Sequence, residues 1–106
     1  MTQKTKSWKN LINVSDLEVG DVTPVTFGTR EVAVFDAEDG IFVSLSRCTH
    51  GAANLCDGYF DGTYIECPLH QGLFDVRTGE AKAAPARAPL RMINCRVIDK
   101  VVQIYI

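Results

Sequence analysis

Two short motifs, Arg47-Cys48-Thr49-His50-Gly51 and, further along the chain, Cys67-Pro68-Leu69-His70-Gln71-Gly72, decide how the rest of the sequence is interpreted. The first places a cysteine and a histidine two positions apart, and the second places another such pair three positions apart. Thiolates and imidazoles are the protein ligands that bind soft and borderline transition metals. The two motifs therefore predict one shared metal centre with Cys48, His50, Cys67 and His70 as its ligands.

The mixture of sulfur and nitrogen ligands indicates which metal centre this is. A 2Fe-2S cluster is usually held by four cysteines, but in a Rieske centre two histidines replace the two cysteines on one iron. Each motif supplies one ligand of each kind. Two loops lying side by side would therefore place Cys48 and Cys67 on one iron and His50 and His70 on the other.

Two other uses of the same residue types have to be weighed. A structural zinc site also takes two cysteines and two histidines, but its cysteines usually form one close pair and its histidines another. A disulfide framework would leave both histidines without a role and would require an oxidising compartment. The mixed pairs favour the iron-sulfur centre over both alternatives.

With these motifs the chain resembles the small Rieske-type ferredoxins of bacterial aromatic-ring-hydroxylating dioxygenase systems. The resemblance extends over nearly all 106 residues, including the Asp57-Gly58-Tyr59 turn and the Phe74-Asp75 and Thr78-Gly79 stretches. It implies an all-β Rieske fold, in which an antiparallel β-sandwich carries a small cluster-binding subdomain of two ligand loops. It also implies that a proline-containing loop around Pro85 covers the cluster.

Length and composition limit the alternatives. A chain of 106 residues is predicted to form a single domain (1–106), with the cluster-binding subdomain at about 46–82. The net charge of −2 gives no basic character that would indicate nucleic-acid binding. No apolar run reaches the length of a membrane span, and the first six residues are mostly polar, so a cytoplasmic location is expected.

Short alternating segments separated by turn residues predict a β-protein without long helices. Pro24 predicts an edge position for its strand, because proline donates no ladder hydrogen bond. One helical turn is expected from a Ser15 cap, and an extended loop is expected over 81–89. Val97, Val101, Ile104 and Ile106 are core candidates in a final hairpin that turns at Asp99-Lys100 and closes the larger sheet. The predicted strands are 8–14, 21–27, 30–36, 41–46, 63–66, 73–76, 90–98 and 101–106, with hairpin turns at Asp39-Gly40 and Asp61-Gly62.

The residues near the motifs predict a low reduction potential. Hydrogen bonds to the cluster sulfurs raise the potential of a Rieske centre, which spans about −150 to +300 mV. High-potential respiratory Rieske proteins carry two additional cysteines, a serine and a tyrosine around the ligands. The corresponding positions here are Ala53, Leu69, Gly72 and Phe74. We therefore expect a potential near the low end, about −150 mV.

Two cysteines and several acidic residues remain near these motifs. Cys56 and Cys95 are expected to be free thiols that pack as small hydrophobic side chains, with a ligand role for Cys56 as the alternative. The carboxylates are expected to be solvated loop charges and turn formers, although a basic partner would be steered by them. These acidic residues are Asp57, Asp61, Glu66 and Asp75.

The number of histidines limits the functions that this chain can have. A ring-hydroxylating oxygenase also needs a mononuclear iron site with two histidines and a carboxylate, but the cluster uses both histidines of this chain. No glycine-rich dinucleotide motif is present either. An electron carrier remains, rather than an enzyme.

The resemblance implies two partners, an NAD(P)H-dependent ferredoxin reductase that loads the electron and a terminal oxygenase that accepts it. Both would dock transiently near His50 and His70, on an apolar rim. The residues expected in that rim are Gly51, Ala52, Leu69, Gln71, Pro85 and Pro89. The alternatives are a small Rieske subunit of an assimilatory reductase such as nitrite reductase, and a regulatory iron-sulfur sensor.

Overall fold

The computed structural model of this chain describes residues 5–47, 53–68, 72–83 and 88–106. Every strand pairing in these ranges is antiparallel, and the only helical segments described are two short 3₁₀ turns, Val14–Asp16 and Leu55–Asp57. The predicted all-β, antiparallel fold class is therefore confirmed. The first turn begins before Ser15 and has no side-chain cap, so the expected Ser15 cap is wrong.

Eleven strands are described, and they form three sheets. The first sheet has the order β1-β11-β10, the second β2-β3-β4-β9 and the third β5-β6-β7-β8. Most strands follow the predicted segments. The third sheet, however, has an additional strand at Ala81–Ala83, within the loop expected over 81–89. The strands are β1 Trp8–Asn13, β2 Val22–Phe27, β3 Arg30–Ala37, β4 Gly40–Leu45, β5 Tyr59–Phe60, β6 Tyr64–Glu66, β7 Leu73–Asp75, β8 Ala81–Ala83, β9 Met92–Ile93, β10 Cys95–Ile98 and β11 Val101–Tyr105.

Strand β3 lies between two hydrophobic clusters. Val32 and Val34 belong to one cluster with Val102 and Ile104, whereas Phe35 belongs to the other, and all five side chains are fully buried. Successive side chains of a strand point to opposite faces of the sheet. The clean alternation over this strand therefore has apolar residues on both faces, because each face is covered.

The cluster that includes Phe35 joins the second sheet to the third. Phe60, Ile65 and Phe74 of the third sheet pack into it, and the Phe35 and Phe60 rings lie 5.3 Å apart at a tilt of 58°. The backbone N–H of Glu38, in the β3–β4 turn, also donates to the carbonyl of Gly62 at 3.3 Å. The third sheet is thus held against the second by apolar packing and by this polar contact.

The last part of the chain differs from the prediction. The segment expected as one strand from Leu90 to Ile98 divides at Asn94 into β9, which pairs with β4, and β10, which pairs with β11. The final hairpin therefore belongs to a separate sheet and does not close the larger one. Its predicted turn is confirmed, because Asp99 and Lys100 have φ values of 51° and 65°.

The core predictions for this hairpin are partly right. Ile104 is fully buried, and Val101 and Ile106 are half-buried. Val97 is 46% exposed, because β10 is the outermost strand of its sheet, and Val102 is fully buried in its place. The proline prediction is confirmed, since β2, which contains Pro24, is an edge strand.

No helix in the described part of the chain is long enough or apolar enough to cross a membrane.

Candidate iron-sulfur site

The first ligand motif begins where β4 ends. The predicted ligands Cys48 and His50 lie outside the described residues, but the structure describes the backbone on either side of them, up to Arg47 and from Ala53. Arg47 and Asn54 form an antiparallel bridge, and the N–H of Leu55 donates to the carbonyl of Ser46 at 2.7 Å. These contacts close a loop that starts and ends on the second sheet.

The second ligand motif lies between β6 and β7. Cys67 is fully buried, and its N–H donates to the carbonyl of Gly72 at 2.7 Å. Glu66 pairs with Leu73 in the ladder just before this bond. The loop that contains His70 is therefore closed at its base by backbone hydrogen bonds, although His70 itself lies outside the described residues.

The structure brings the chain that follows the first motif against the strand that leads to the second. Leu55 and Cys67 belong to the same buried cluster. A Cβ atom placed on Gly58 would overlap the carbonyl oxygen of Glu66, so only glycine permits this backbone approach. Of the four predicted ligands, the described residues include Cys67 alone, and they place it beside the end of the first loop.

The donor chemistry at Cys67 fits a 2Fe-2S cluster. Thiolates are the standard ligands of such clusters, and the surrounding protein controls solvent access to the metal. Full burial of Cys67 among apolar side chains gives one such ligand in a site shielded from water. Among the described residues, no three His, Cys, Asp or Glu side chains converge in a second arrangement suited to a metal.

Cys56 is half-buried and packs against the same apolar cluster. Burial, with smaller contributions from Asp57 and Glu31, raises the pKa of its thiol to about 11. The environment of Cys56 therefore matches the expected small hydrophobic side chain.

Cys95 occupies a similar environment on β10. Its Sγ donates to the carbonyl oxygen of Ile41 at 3.2 Å, and burial raises the pKa of its thiol. This contact joins the edge of the first sheet to the second and leaves Cys95 with a packing role.

The acidic residues near the site have different surroundings. Asp61 forms the β5–β6 turn, where its Oδ1 accepts from the N–H groups of Thr63 at 2.9 Å and Tyr64 at 2.7 Å. The Tyr64 N–H, followed by that of Thr63, lowers the pKa of Asp61. Asp61 is thus the expected turn former.

Asp75 departs from the expected solvated charge, because it is only 5% exposed. Arg77 donates from Nε and Nη2 to its two carboxylate oxygens, at 3.1 and 3.0 Å, and also approaches Asp39 at 3.6 Å. Sequence reasoning missed this link, since Asp39 lies far from Asp75 along the chain.

Two positions expected to lower the potential are buried beside the second motif. Phe74 is fully buried opposite Ile65, and Gly72 is buried at the loop base. Neither side chain has a hydroxyl group to donate. Of the predicted apolar rim, Pro89 is exposed and the other five residues lie outside the described ranges.

Comparison with known proteins agrees with this architecture. The model of the Rieske [2Fe-2S] domain family matches residues 7–100. The ferredoxin component of the naphthalene 1,2-dioxygenase system of Pseudomonas putida is 42% identical over 99 residues, which are 89% of this chain and 95% of the relative. The chain belongs to the Rieske-type ferredoxins.

Further relatives support this assignment. The anthranilate 1,2-dioxygenase ferredoxin subunit of Burkholderia cepacia is 36% identical over 98% of this chain and 97% of its own length. Among solved structures, the Sphingomonas yanoikuyae B1 ferredoxin has a TM-score of 0.87 at 38% identity, covering 94% of this chain and 99% of that one. The predicted family and its Rieske 2Fe-2S cluster are thus confirmed.

Two other solved structures bear on the partners and on the alternative function. A chain in the complex of reduced oxygenase and oxidized ferredoxin of carbazole 1,9a-dioxygenase has a TM-score of 0.84 at 33% identity, covering 92% of each chain. A putative nitrite reductase small subunit has a TM-score of 0.76 at 20% identity, covering 94% of this Rieske-type ferredoxin and 98% of that chain. The second likeness shows the fold alone.

Proposed function

We propose that this ferredoxin carries single electrons from an NAD(P)H-dependent reductase to the terminal oxygenase of a multicomponent aromatic-ring-hydroxylating dioxygenase. The observation that carries this proposal is a buried Cys67 at the base of a closed loop, in a chain 42% identical to a dioxygenase ferredoxin component. A bound 2Fe-2S cluster supplies reversible uptake of one electron. The protein supplies ligation, shielding and a surface for the partners.

We assign the cluster to Cys48 and Cys67 on one iron and to His50 and His70 on the other. Backbone hydrogen bonds at the bases of both loops support this assignment, because they fix the points from which each ligand pair projects. The four ligands belong to one domain, 1–106, whose cluster-binding part extends over about 46–82. The third sheet lies within or close to these bounds, from Tyr59 to Ala83.

The partners are a ferredoxin reductase and a terminal oxygenase, each docking transiently near His50 and His70 in the cytoplasm. The solved complex of an oxygenase with a similar ferredoxin supports the oxygenase as a partner. Transient redox contacts typically bury less than about 1,200 Å². A rim of that size would suffice for such docking.

Spectroscopy of ligand variants tests this proposal. Protein reconstituted anaerobically and reduced with dithionite should give an EPR signal of low average g-value, typical of mixed nitrogen and sulfur ligation. Cys67→Ser and His70→Ala should lose this signal because each removes a ligand, whereas Cys56→Ser should keep it. Reduction of cytochrome c by the wild-type protein should depend on added reductase.

Several outcomes would contradict the proposal. A colourless, iron-free protein, or one that binds a single zinc ion, would remove the cluster. Stable co-purification with a large catalytic subunit would instead favour the small subunit of an assimilatory reductase. Cluster-dependent binding to DNA or to a regulator would favour a sensor.

A further inference from the structure

A continuous series of shallow clefts runs along one side of the molecule, from the β2–β3 turn to the base of the first ligand loop. The first cleft, of about 380 Å³, contains Lys6, Lys9 and Arg30. The next two share Arg30 and Arg91, and the last ends at Arg47, beside Ala53 and Asn54. We call these five basic side chains, Lys6, Lys9, Arg30, Arg47 and Arg91, the basic band.

The charges of the basic band are largely unneutralised. Among the described residues, Lys6, Arg30, Arg47 and Arg91 form no ion pair with a carboxylate, whereas Arg77 and Lys82, outside the band, do. Lys9 donates to the main-chain oxygen of Ile106 at 2.7 Å, so among the described residues the unpaired charges of the band are those of the other four side chains. Like charges held together repel, so the band favours an anionic ligand.

The composition of the clefts is unlike that of the whole chain. The protein has 13 acidic and 11 basic residues, yet the described linings of these four clefts contain five basic residues and one acidic residue, Glu31. The clefts therefore carry a local positive charge on a protein whose net charge is −2. The other end of the 53–58 segment has the opposite character, since the cleft beside Cys67 contains Asp57 and Glu66.

Strand pairing fixes the backbone positions of the band's three arginines. Arg30 opens β3, opposite Phe27, and Arg47 is the second residue after β4. The carbonyl of Arg91 accepts the N–H of Leu45 at 2.9 Å, which places Arg91 beside the end of β4. The three arginines therefore extend from neighbouring strand ends, and strand pairing fixes their backbone positions before a partner binds.

We infer that the basic band is a docking surface for a carboxylate-rich face of the terminal oxygenase that accepts the electron, an inference that rests on the proposed function. Charge complementarity argues for a surface of carboxylates, and the solved complex of an oxygenase with a similar ferredoxin argues for the oxygenase as the partner that carries it. The band also ends at Arg47, directly before the predicted ligand Cys48. A partner bound along it would therefore contact the residues that lead into the first ligand motif.

Binding of an acidic polymer tests the surface directly. Poly-L-glutamate should bind the cluster-loaded protein at low salt, and the affinity should fall at about 0.15 M salt, where the Debye length is about 8 Å. Arg30→Glu/Arg91→Glu should weaken binding about tenfold or more. Arg96→Glu/Lys100→Glu makes the same charge change outside the band and outside the cluster-binding part, and should alter the affinity less than about twofold.

Folding and the nature of the anion are controlled separately. Arg30→Gln/Arg91→Gln removes both charges without reversing them and should give an intermediate loss, while circular dichroism and cluster absorbance report folding. Equal losses in the two charge-reversed variants would overturn the inference. Tighter binding of duplex DNA than of poly-L-glutamate would overturn it as well, because the band would then serve nucleic acid.

Electron transfer separates this inference from the proposed function. The oxygenase of the Pseudomonas putida naphthalene system serves as the test acceptor, mixed with dithionite-reduced ferredoxin in a stopped-flow instrument. The bimolecular rate should fall about tenfold in Arg30→Glu/Arg91→Glu and stay near wild type in Arg96→Glu/Lys100→Glu. Equal rates in the wild type and both variants would reject the basic band as a docking surface but leave the carrier function intact. If none of the three proteins transferred electrons, the carrier function would be contradicted. Binding to poly-L-glutamate would then still test the basic band.

Discussion

Gly58 controls how closely the two halves of the cluster site approach. Its Cα lies so near the carbonyl of Glu66 that a methyl group would overlap it, and the carbonyl of Leu55 is 3.2 Å from the same position. Both neighbours are backbone atoms, which cannot move aside as a side chain would. Gly58→Ala should therefore displace the strand before Cys67, lower stability by about 1–3 kcal/mol and reduce cluster content.

Visible absorbance per polypeptide and thermal unfolding measure these two effects. Gly28→Ala is the matched control, since its φ is +63° but nothing lies within 4 Å of a Cβ placed there. It should cost about 1 kcal/mol through backbone strain and leave cluster content unchanged. Equal cluster content in the two variants would contradict a specific role for Gly58.

At the level of elements, Arg77 connects the end of β7 to the β3–β4 turn. Its hydrogen bonds hold the pKa of Asp75 below the usual value of 3.8. A carboxylate whose pKa is lower in the folded protein stabilises the fold above its unfolded pKa, and this stabilisation is lost as the pH falls through the folded pKa. Asp75→Asn should therefore destabilise the protein by about 1–3 kcal/mol at pH 7 and by less below about pH 4.

Urea unfolding at several pH values measures this prediction. Asp99→Asn is the control, because Asp99 is exposed in the β10–β11 turn and asparagine suits its φ of 51° equally well. That variant should change stability little at either pH. A pH-independent difference between Asp75→Asn and wild type would show that the Arg77 ion pair is not the cause.

The strand predictions succeeded where local pattern and turn chemistry agreed. Alternation predicted β3, and Asp99-Lys100 predicted the final hairpin. In the first strand, the register of β1 with β11 shifts between Asn10 and Ile12, a local irregularity that the predicted strand 8–14 did not include. Strand β8 was missed because Ala81–Ala83 contains alanine and lysine, residues with weak strand preference, and pairing with β7 overrides that preference.

At the scale of the molecule, β3 is shared by two hydrophobic cores, one beside the cluster loops and one beneath the first sheet. Ile65 and Ile104 are fully buried, one in each core. Because one strand belongs to both, we expect a single cooperative unfolding transition. Ile65→Val and Ile104→Val should each lower stability by about 0.5–1.5 kcal/mol, with backbone signal and cluster absorbance lost together.

Circular dichroism and visible absorbance followed during one thermal scan measure this. The conservative change from isoleucine to valine keeps both variants folded, and each serves as the control for the other. Two separate transitions, or a loss of cluster absorbance well before the backbone signal in Ile104→Val, would contradict a shared core.

The sequence predicted those parts of the candidate site whose residues lie close together along the chain. Two cysteine–histidine pairs indicated the cluster because each pair lies within a few residues. The link from Asp75 through Arg77 to Asp39, and the basic band, join residues that are distant along the chain. Such groups become neighbours only through strand order, which the sequence pattern did not specify.

Pro24 has a consequence for behaviour at high concentration. In the described part of the chain no strand lies beyond the outer edge of β2, and open strand edges allow one chain to pair with another and start an aggregate. Proline has no N–H to donate, so one rung of that intermolecular ladder cannot form. Pro24 therefore reduces self-association through the β2 edge in a small protein that meets its partners by repeated collisions.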